Sequence, residues 1–290
     1  MNPRSQPLLL AGLAAAVLGL GGIGWLARDL TAPGKGADQP SVLDLLDAFG
    51  SPQPNPEPVA RPAPLPPARP AWSSPLMRGC AAPIGERQQR LVTRVADLRA
   101  NPRRIEIDPT NYGERFGRDA FGNRLDPTPR LVVLHETVYG MQSAINTFRT
   151  PHPRDEDQVS YHALIGQDGS VVLLLDPSKR AFGAGNSAFR GQWAVTNPAV
   201  GGSVNNFAVH ISLETPPDGE DAEPTHSGYS QAQYDGLAAL LALWMQTYPI
   251  AADHITTHRA VDLAGERADP RSFQWSELQG RLQDLQLLCG

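Results

Sequence analysis

Ten of the chain's 28 prolines fall between Pro52 and Pro75, in the stretch SPQPNPEPVARPAPLPPARPAWSSP. Proline has a fixed φ and no amide hydrogen to donate, so such a stretch fits neither a helix interior nor a central strand. It reads as an extended, semi-rigid spacer that advances about 3.1 Å per residue in polyproline II geometry. The cluster therefore divides the chain. Residues 31–76 are expected to form a linker and residues 77–290 one globular domain. Inside the linker, SVLDLLDAF (Ser41 to Phe49) could form a short helix. A helix that short is marginal without packing and is given no function.

Ahead of the linker, PLLLAGLAAAVLGLGGIGWLA runs uncharged from Pro7 to Ala27, after one early cation, Arg4. A cleavable export signal has an apolar core of about 7 to 15 residues, whereas a spanning helix needs roughly 20. The length favours an uncleaved signal anchor at residues 1–30, with residues 7–27 in the membrane. The remainder is then exported to the cell envelope, anchored in the inner membrane with its domain on the periplasmic or wall side. Export places Cys80 and Cys289, the only cysteines, where disulfides persist. They bracket nearly everything that looks folded, and a bridge between them is expected. A net charge of −5 leaves no basic face for nucleic acid.

Within the domain, RLVVLHET (Arg130 to Thr137) is a continuous apolar run that ends polar, as a buried central strand does. SYHALIGQDGSVVLLLD contains two strand-like runs joined at Asp168-Gly169, a hairpin signature. NFAVHISLET alternates, with Val209, Ile211 and Leu213 on one face and His210, Ser212 and Glu214 on the other. Ser230 with Gln233 forms a capping box. It opens a helix whose apolar side is Tyr234, Leu237, Ala238, Leu241, Trp244 and Met245. GMQSAINTFRT and SELQGRLQDLQLL supply further helices. The expected fold class is α/β: a central mixed sheet flanked by helices.

The stretch HITTHRAVDLAGERADPRSF, from His254 to Phe273, concentrates candidate ligands. On a helix His254 and His258 would be neighbours. The intervening Ile-Thr-Thr is β-branched and favours a strand, where positions four apart are separated by about 13 Å. Only one of the two can then join a common metal, and His135, where an apolar strand turns polar, is the natural second ligand. Two histidines and a carboxylate leave the open position of a catalytic zinc site. Spacing alone leaves Asp262 and Asp269 as equal candidates for the carboxylate.

These motifs resemble the zinc-dependent N-acetylmuramoyl-L-alanine amidases of the type-2 family, which includes the phage amidase-lysozymes and the peptidoglycan recognition proteins. The resemblance runs from about Arg130 to Leu278. SYHALIGQDG matches S-x-H-x-L-I-x-x-D-G, GAGNSAFRG the Gly-Asn-Ser loop, and NNFAVHIS the N-x-F-S-I-G-I-E strand. YSQAQYDGL matches the Y-T-x-x-Q-Y-x-x-L helix and DPRSFQW the D-P-G-x-x-F-x-W segment. The resemblance implies a zinc site in a surface groove at the sheet, with His135, His258 and Asp269 as ligands in preference to His254 and Asp262. It implies hydrolysis of the amide between N-acetylmuramic acid and L-alanine by a zinc-activated water, on peptidoglycan or muropeptides.

Tyr161 matches a tyrosine that the family places beside the metal, and Arg267 the position of a lysine that stabilises the oxyanion. Two departures stand out. Ser212 takes the place of a glutamate used near zinc, which leaves Glu214, on the same strand face, as a displaced base. Where the family has Trp-His-Ala-Gly the chain reads FGAG, with Gly183 in the histidine's place. Arg271 replaces the usual glycine after Asp269-Pro270. His162 matches a family position that is not a ligand; His152, His210 and His226 carry no signal beyond composition. The alternatives are a non-catalytic muropeptide-binding protein on the same fold and a structural tether between membrane and wall.

Overall fold

The computed structural model describes residues 60–80, 82 and 85–289; the expected anchor at 7–27 and the short helix at 41–49 lie outside them. The first strands are β1 (Arg103–Arg104), β2 (Tyr112–Glu114), β3 (Leu131–Glu136), β4 (Ala163–Ile165) and β5 (Val171–Leu173). They are followed by β6 (Lys179–Ala181), β7 (Ala194–Asn197), β8 (Gly201–Ser203), β9 (Ala208–Leu213) and β10 (Ile255–Thr257). Six strands form a mixed sheet in the order β1-β5-β4-β9-β3-β10, with β2 and β6, and β7 and β8, paired apart from it. Only the β4–β5 hairpin is antiparallel within the large sheet. Its turn needs a glycine: Gly169 has φ +80°, and a Cβ there would lie 2.2 Å from the Ala232 carbonyl oxygen.

The central strands are buried on both faces. Val132, Leu134, Val209, Ile211 and Ile255 join the main core on one side, while Leu131, Val133 and Ala208 pack with Phe189, Phe207 and Val261 on the other. Double burial explains why β3 reads as an unbroken apolar run. It also means that the alternation in β9 separates two interiors, because His210 and Ser212 are as buried as Val209 and Ile211.

The helices are α1 (Gly85–Ala100), α2 (Met141–Arg149), α3 (Gln231–Thr247), α4 (His258–Val261) and α5 (Trp275–Asp284). Helix α3 has the Ser230/Gln233 capping box and buries Tyr234, Leu237, Ala238, Leu241 and Trp244, as its spacing predicts. It also buries Ala239, Leu240 and Ala242, because α1 packs on it as well. Helix α1 went unanticipated: its core stripe is thin, with Leu91 buried and Leu98 partly so, among several arginines. An ion pair supplements that stripe, joining Arg87 to Asp284 at the C-terminal end of α5.

The proline-rich segment departs from expectation between residues 60 and 76. The compact unit already includes the described residues from 60 onward, ahead of the expected boundary at Met77. The Arg61 amide donates to the Phe121 carbonyl at 2.9 Å, and Trp193 Nε1 donates to the Pro64 carbonyl at 2.9 Å. The Arg69 guanidinium reaches the carbonyls of Asp262 and Leu263. Trp72 lies 6.0 Å from the ring of Trp275, and Leu76 enters the main core. Cys80 and Cys289 then form the expected disulfide, with Cα atoms 5.0 Å apart.

Proline removes a donor but leaves the carbonyls exposed as acceptors. Arg, Trp and Leu between the prolines supply the contacts that turn a spacer into a strap. Burying a large apolar side chain stabilises by about 1.5–3 kcal/mol, so Trp72→Ala is expected to cost about 2 kcal/mol, read as a lower urea midpoint. An unchanged midpoint would show that Trp72 contributes nothing to the strap's hold.

Candidate active site

β3, β9 and β10 run parallel, and their carboxyl ends are where open α/β sheets bind ligands. His135 lies near that end of β3, opposite Ser212 of β9 in register. β10 ends at Thr257, whose side chain accepts from the Ala260 amide and so starts α4 with His258 as its first residue. His254 precedes β10, where its Nδ1 lies 3.0 Å from the Arg130 carbonyl and its ring packs edge-on against Phe189. The strand between them separates the two histidines as the β-branched residues predict.

Asp269 arrives by a loop that Asp262 organises. The Asp262 carboxylate accepts from the amides of Ala264 (3.2 Å), Glu266 (2.7 Å) and Arg267 (3.0 Å). Burial would raise this carboxyl, but the backbone donors outweigh it and hold it low. Asp262 therefore shapes the loop, and Asp269 is the acid that reaches the histidines. The Arg259 amide donates to the Asp269 carbonyl at 3.0 Å, tying the two ligand segments together.

The ring nitrogens of His135 and His258 and a carboxylate oxygen of Asp269 all lie within 4.8 Å of one another. His258 Nδ1 is 3.0 Å from Asp269 Oδ1, and His135 Nδ1 is 3.3 Å from Asp269 Oδ2. His135 is fully buried, and its Nδ1 has no hydrogen bond of good geometry, only the long 3.3 Å approach to Asp269. A buried polar atom without a partner is costly, and one that faces a carboxylate and a second imidazole fits a metal ligand. Burial, then the charge of His258, pushes the pKa of His135 down to about 4 and keeps the imidazole neutral, the form that binds metal. Burial alone would raise Asp269, but His135 and His258 outweigh it and hold the carboxyl well below the usual carboxylate range.

Tyr161 stacks on His135 with ring centroids 4.4 Å apart, and Phe148 meets its other side edge-on at 5.3 Å. Burial, reinforced by Asp269, raises its phenol above the ordinary range, so it stays protonated as a donor. Arg267 is exposed on the Asp262 loop, and its charge reaches both Tyr161 and His135. Ser212 is buried with its hydroxyl unpartnered. Glu214, expected as a displaced base, has both oxygens on main-chain donors: Oε1 accepts from Met141 N at 2.7 Å and Oε2 from Gln167 N at 2.9 Å. It stands at the start of α2, where a carboxylate favours the helix N-terminus.

On the far face of β3, Glu136 is buried among donors. Its carboxylate pairs with the Arg271 guanidinium and accepts from the Arg271 amide (2.8 Å) and Tyr229 hydroxyl (2.6 Å), with His226 Nε2 at 3.2 Å. Arg271 also donates to the carbonyls of Asp221 and Glu223. The residue after one ligand thus holds the residue two beyond another. Sequence reading took Arg271 only as a departure from glycine.

Two imidazoles and a carboxylate thus converge at strand ends beside a stacked phenol, a donor set that could hold a metal ion. The chain belongs to the Amidase_2 family, N-acetylmuramoyl-L-alanine amidase, which matches residues 125–272. It is 36% identical over 126 residues to the 1,6-anhydro-N-acetylmuramyl-L-alanine amidase AmpD of Enterobacter cloacae, a match covering 43% of this chain and 57% of that protein. The chain thus spans little more than half the length of that relative. The AmpD of Haemophilus influenzae is 28% identical over 174 residues, covering 59% of this chain and 74% of that one. The solution structure of Citrobacter freundii AmpD is 26% identical, covers 63% of this chain and 90% of its own, and superposes with a TM-score of 0.40.

Proposed function

We propose that this chain is a zinc-dependent peptidoglycan amidase that cleaves the bond between N-acetylmuramic acid and L-alanine. The observation that carries the reading is the orphaned Nδ1 of buried His135, facing Asp269 and His258 in a chain of the amidase family. His135, His258 and Asp269 would hold the zinc. Bound there, it would lower the pKa of a water toward 7 and polarise the scissile carbonyl.

The remaining work falls to this chain's own side chains. Tyr161, kept protonated by burial and fixed by stacking between His135 and Phe148, donates its hydroxyl proton in a hydrogen bond to the oxygen that becomes negative. Arg267 adds positive charge from the loop, with a donor fork in place of a point charge. Ser212 has neither the charge nor the pKa of a general base. Glu214 acts on the site through the fold, by capping α2 and holding the turn at Gln167.

The relatives are named for a 1,6-anhydro-muramyl substrate, which supports released wall fragments as well as intact peptidoglycan as candidates. We place the enzyme in the cell envelope, held by residues 1–30. The disulfide at Cys80 and Cys289 supports an oxidising compartment.

The test is incubation of the full chain with intact peptidoglycan and with anhydro-muropeptides, with and without a chelator, followed by mass analysis of the products. Expected are free L-alanine-terminated stem peptides that vanish with the chelator. Tyr161→Phe should lower kcat by about 10²-fold with zinc retained, the effect of losing one oxyanion donor. Undiminished stem-peptide release in chelator would sink the metal reading. A silent Tyr161→Phe together with a crippled Glu214→Gln would move catalysis to the carboxylate.

A further inference from the structure

We infer that His210 is a positioning residue for the metal centre. Its Nδ1 accepts a hydrogen bond from the Nε2–H of His135 and so leaves Nδ1 of His135 with a free lone pair aimed at Asp269 and His258. The inference rests on the zinc centre proposed above and assigns a role to a residue that reading does not use.

The two rings meet at 3.0 Å, His135 Nε2 to His210 Nδ1. A neutral imidazole carries one ring proton, and the hydrogen bond made by one nitrogen decides what the other can do. With the proton on Nε2, the Nδ1 of His135 that faces Asp269 at 3.3 Å is free to ligate. Ligating histidines commonly donate their other N–H to a carboxylate, a carbonyl or a water, which fixes tautomer and ring orientation. Here a second imidazole is the acceptor.

His210 is itself held from two sides. Its amide donates to His162 Nδ1 at 3.0 Å, its carbonyl accepts from the His162 amide at 2.9 Å, and the two rings stack 5.9 Å apart. Accepting at Nδ1 puts the ring proton of His210 on Nε2, which is buried without a partner. Such a group costs stability, and its retention points to a role that packing does not explain.

Gly183 makes the arrangement possible. A Cβ at that position would lie 2.5 Å from Cγ and Nδ1 of His210, so any other residue there displaces the ring. Gly183 stands where the family motif has a histidine, and His210 stands at the glycine of N-x-F-S-I-G-I-E. The small residue at 183 and the imidazole at 210 are thus coupled by direct steric contact.

The test compares full-length wild type, His210→Leu and His210→Asn by zinc competition with a chromophoric chelator, and reads the His135 tautomer by nitrogen NMR on metal-free protein. His210→Leu is expected to weaken zinc binding about 10- to 100-fold and to move His135 toward the Nδ1–H tautomer. His210→Asn keeps an acceptor oxygen near Nδ1 and should stay within about threefold of wild type. A leucine variant that binds zinc like wild type overturns the inference, as does an asparagine variant as weak as the leucine one. Urea midpoints of the metal-free proteins separate loss of fold from loss of positioning, and affinity losses that merely follow stability also overturn it. Absence of zinc from the wild type counts against the zinc reading alone. In that event the tautomer in the metal-free protein still decides the role of His210.

Discussion

His135→Ala, His258→Ala and Asp269→Ala should each strip the protein of zinc and lower amide hydrolysis by at least about 10³-fold, the several kcal/mol that a metal contributes to such a transition state. His254→Ala should leave both zinc content and turnover close to wild type. The contrast rests on where the chain puts the four side chains. The first three converge within 4.8 Å, while His254 sits across β10 against the Arg130 carbonyl. Metal analysis and turnover on the same preparations check it. Full activity in His258→Ala would remove the ligand assignment, and loss of zinc in His254→Ala would mean that the strand between them does not separate their roles.

Arg271→Ala should cost about 3 kcal/mol of stability, near the low end of the 3–5 kcal/mol typical when one partner of a buried ion pair is removed. Both side chains of the Arg271–Glu136 pair are about nine-tenths buried, at 10% and 7% exposure. The low end applies because Glu136 keeps the Tyr229 hydroxyl, His226 and the Arg271 amide as donors. The cost is mostly an uncompensated carboxylate, so adding Glu136→Gln to Arg271→Ala should recover part of the loss. Urea unfolding of the two single variants and the double variant measures it. A single-variant loss below about 1 kcal/mol would show that the remaining donors suffice.

Much of the sheet was legible because its strands announce themselves by double burial: RLVVLHET is apolar throughout and is β3, and the Asp168-Gly169 turn is the β4–β5 hairpin. Helix α3 was legible through its cap and its spacing. Helix α1 was not, since a stripe resting on Leu91 and Leu98 hardly departs from a solvated helix. At the site, the β-branched ITT run separated His254 from His258 on physical grounds alone. Asp262 and Asp269 could not be told apart that way, because one makes three amide contacts within its own loop and the other reaches across to β3. That difference lives in three dimensions. His210 was silent for the same reason: its meaning depends on Gly183, which is remote in sequence and adjacent in space.

If residues 1–30 anchor the chain as proposed, the strap changes how far the domain can range. Counted as free polyproline, residues 60–76 would add on the order of 50 Å to a leash at about 3.1 Å per residue. Fastened at Arg61, Pro64, Arg69, Trp72 and Leu76, they add none. Under the anchoring proposed above, the reach of the domain would be set by the length of chain ahead of residue 60, and lengthening it there would widen the zone of wall within reach. Shortening it after 60 would unfasten the strap and leave that reach unchanged.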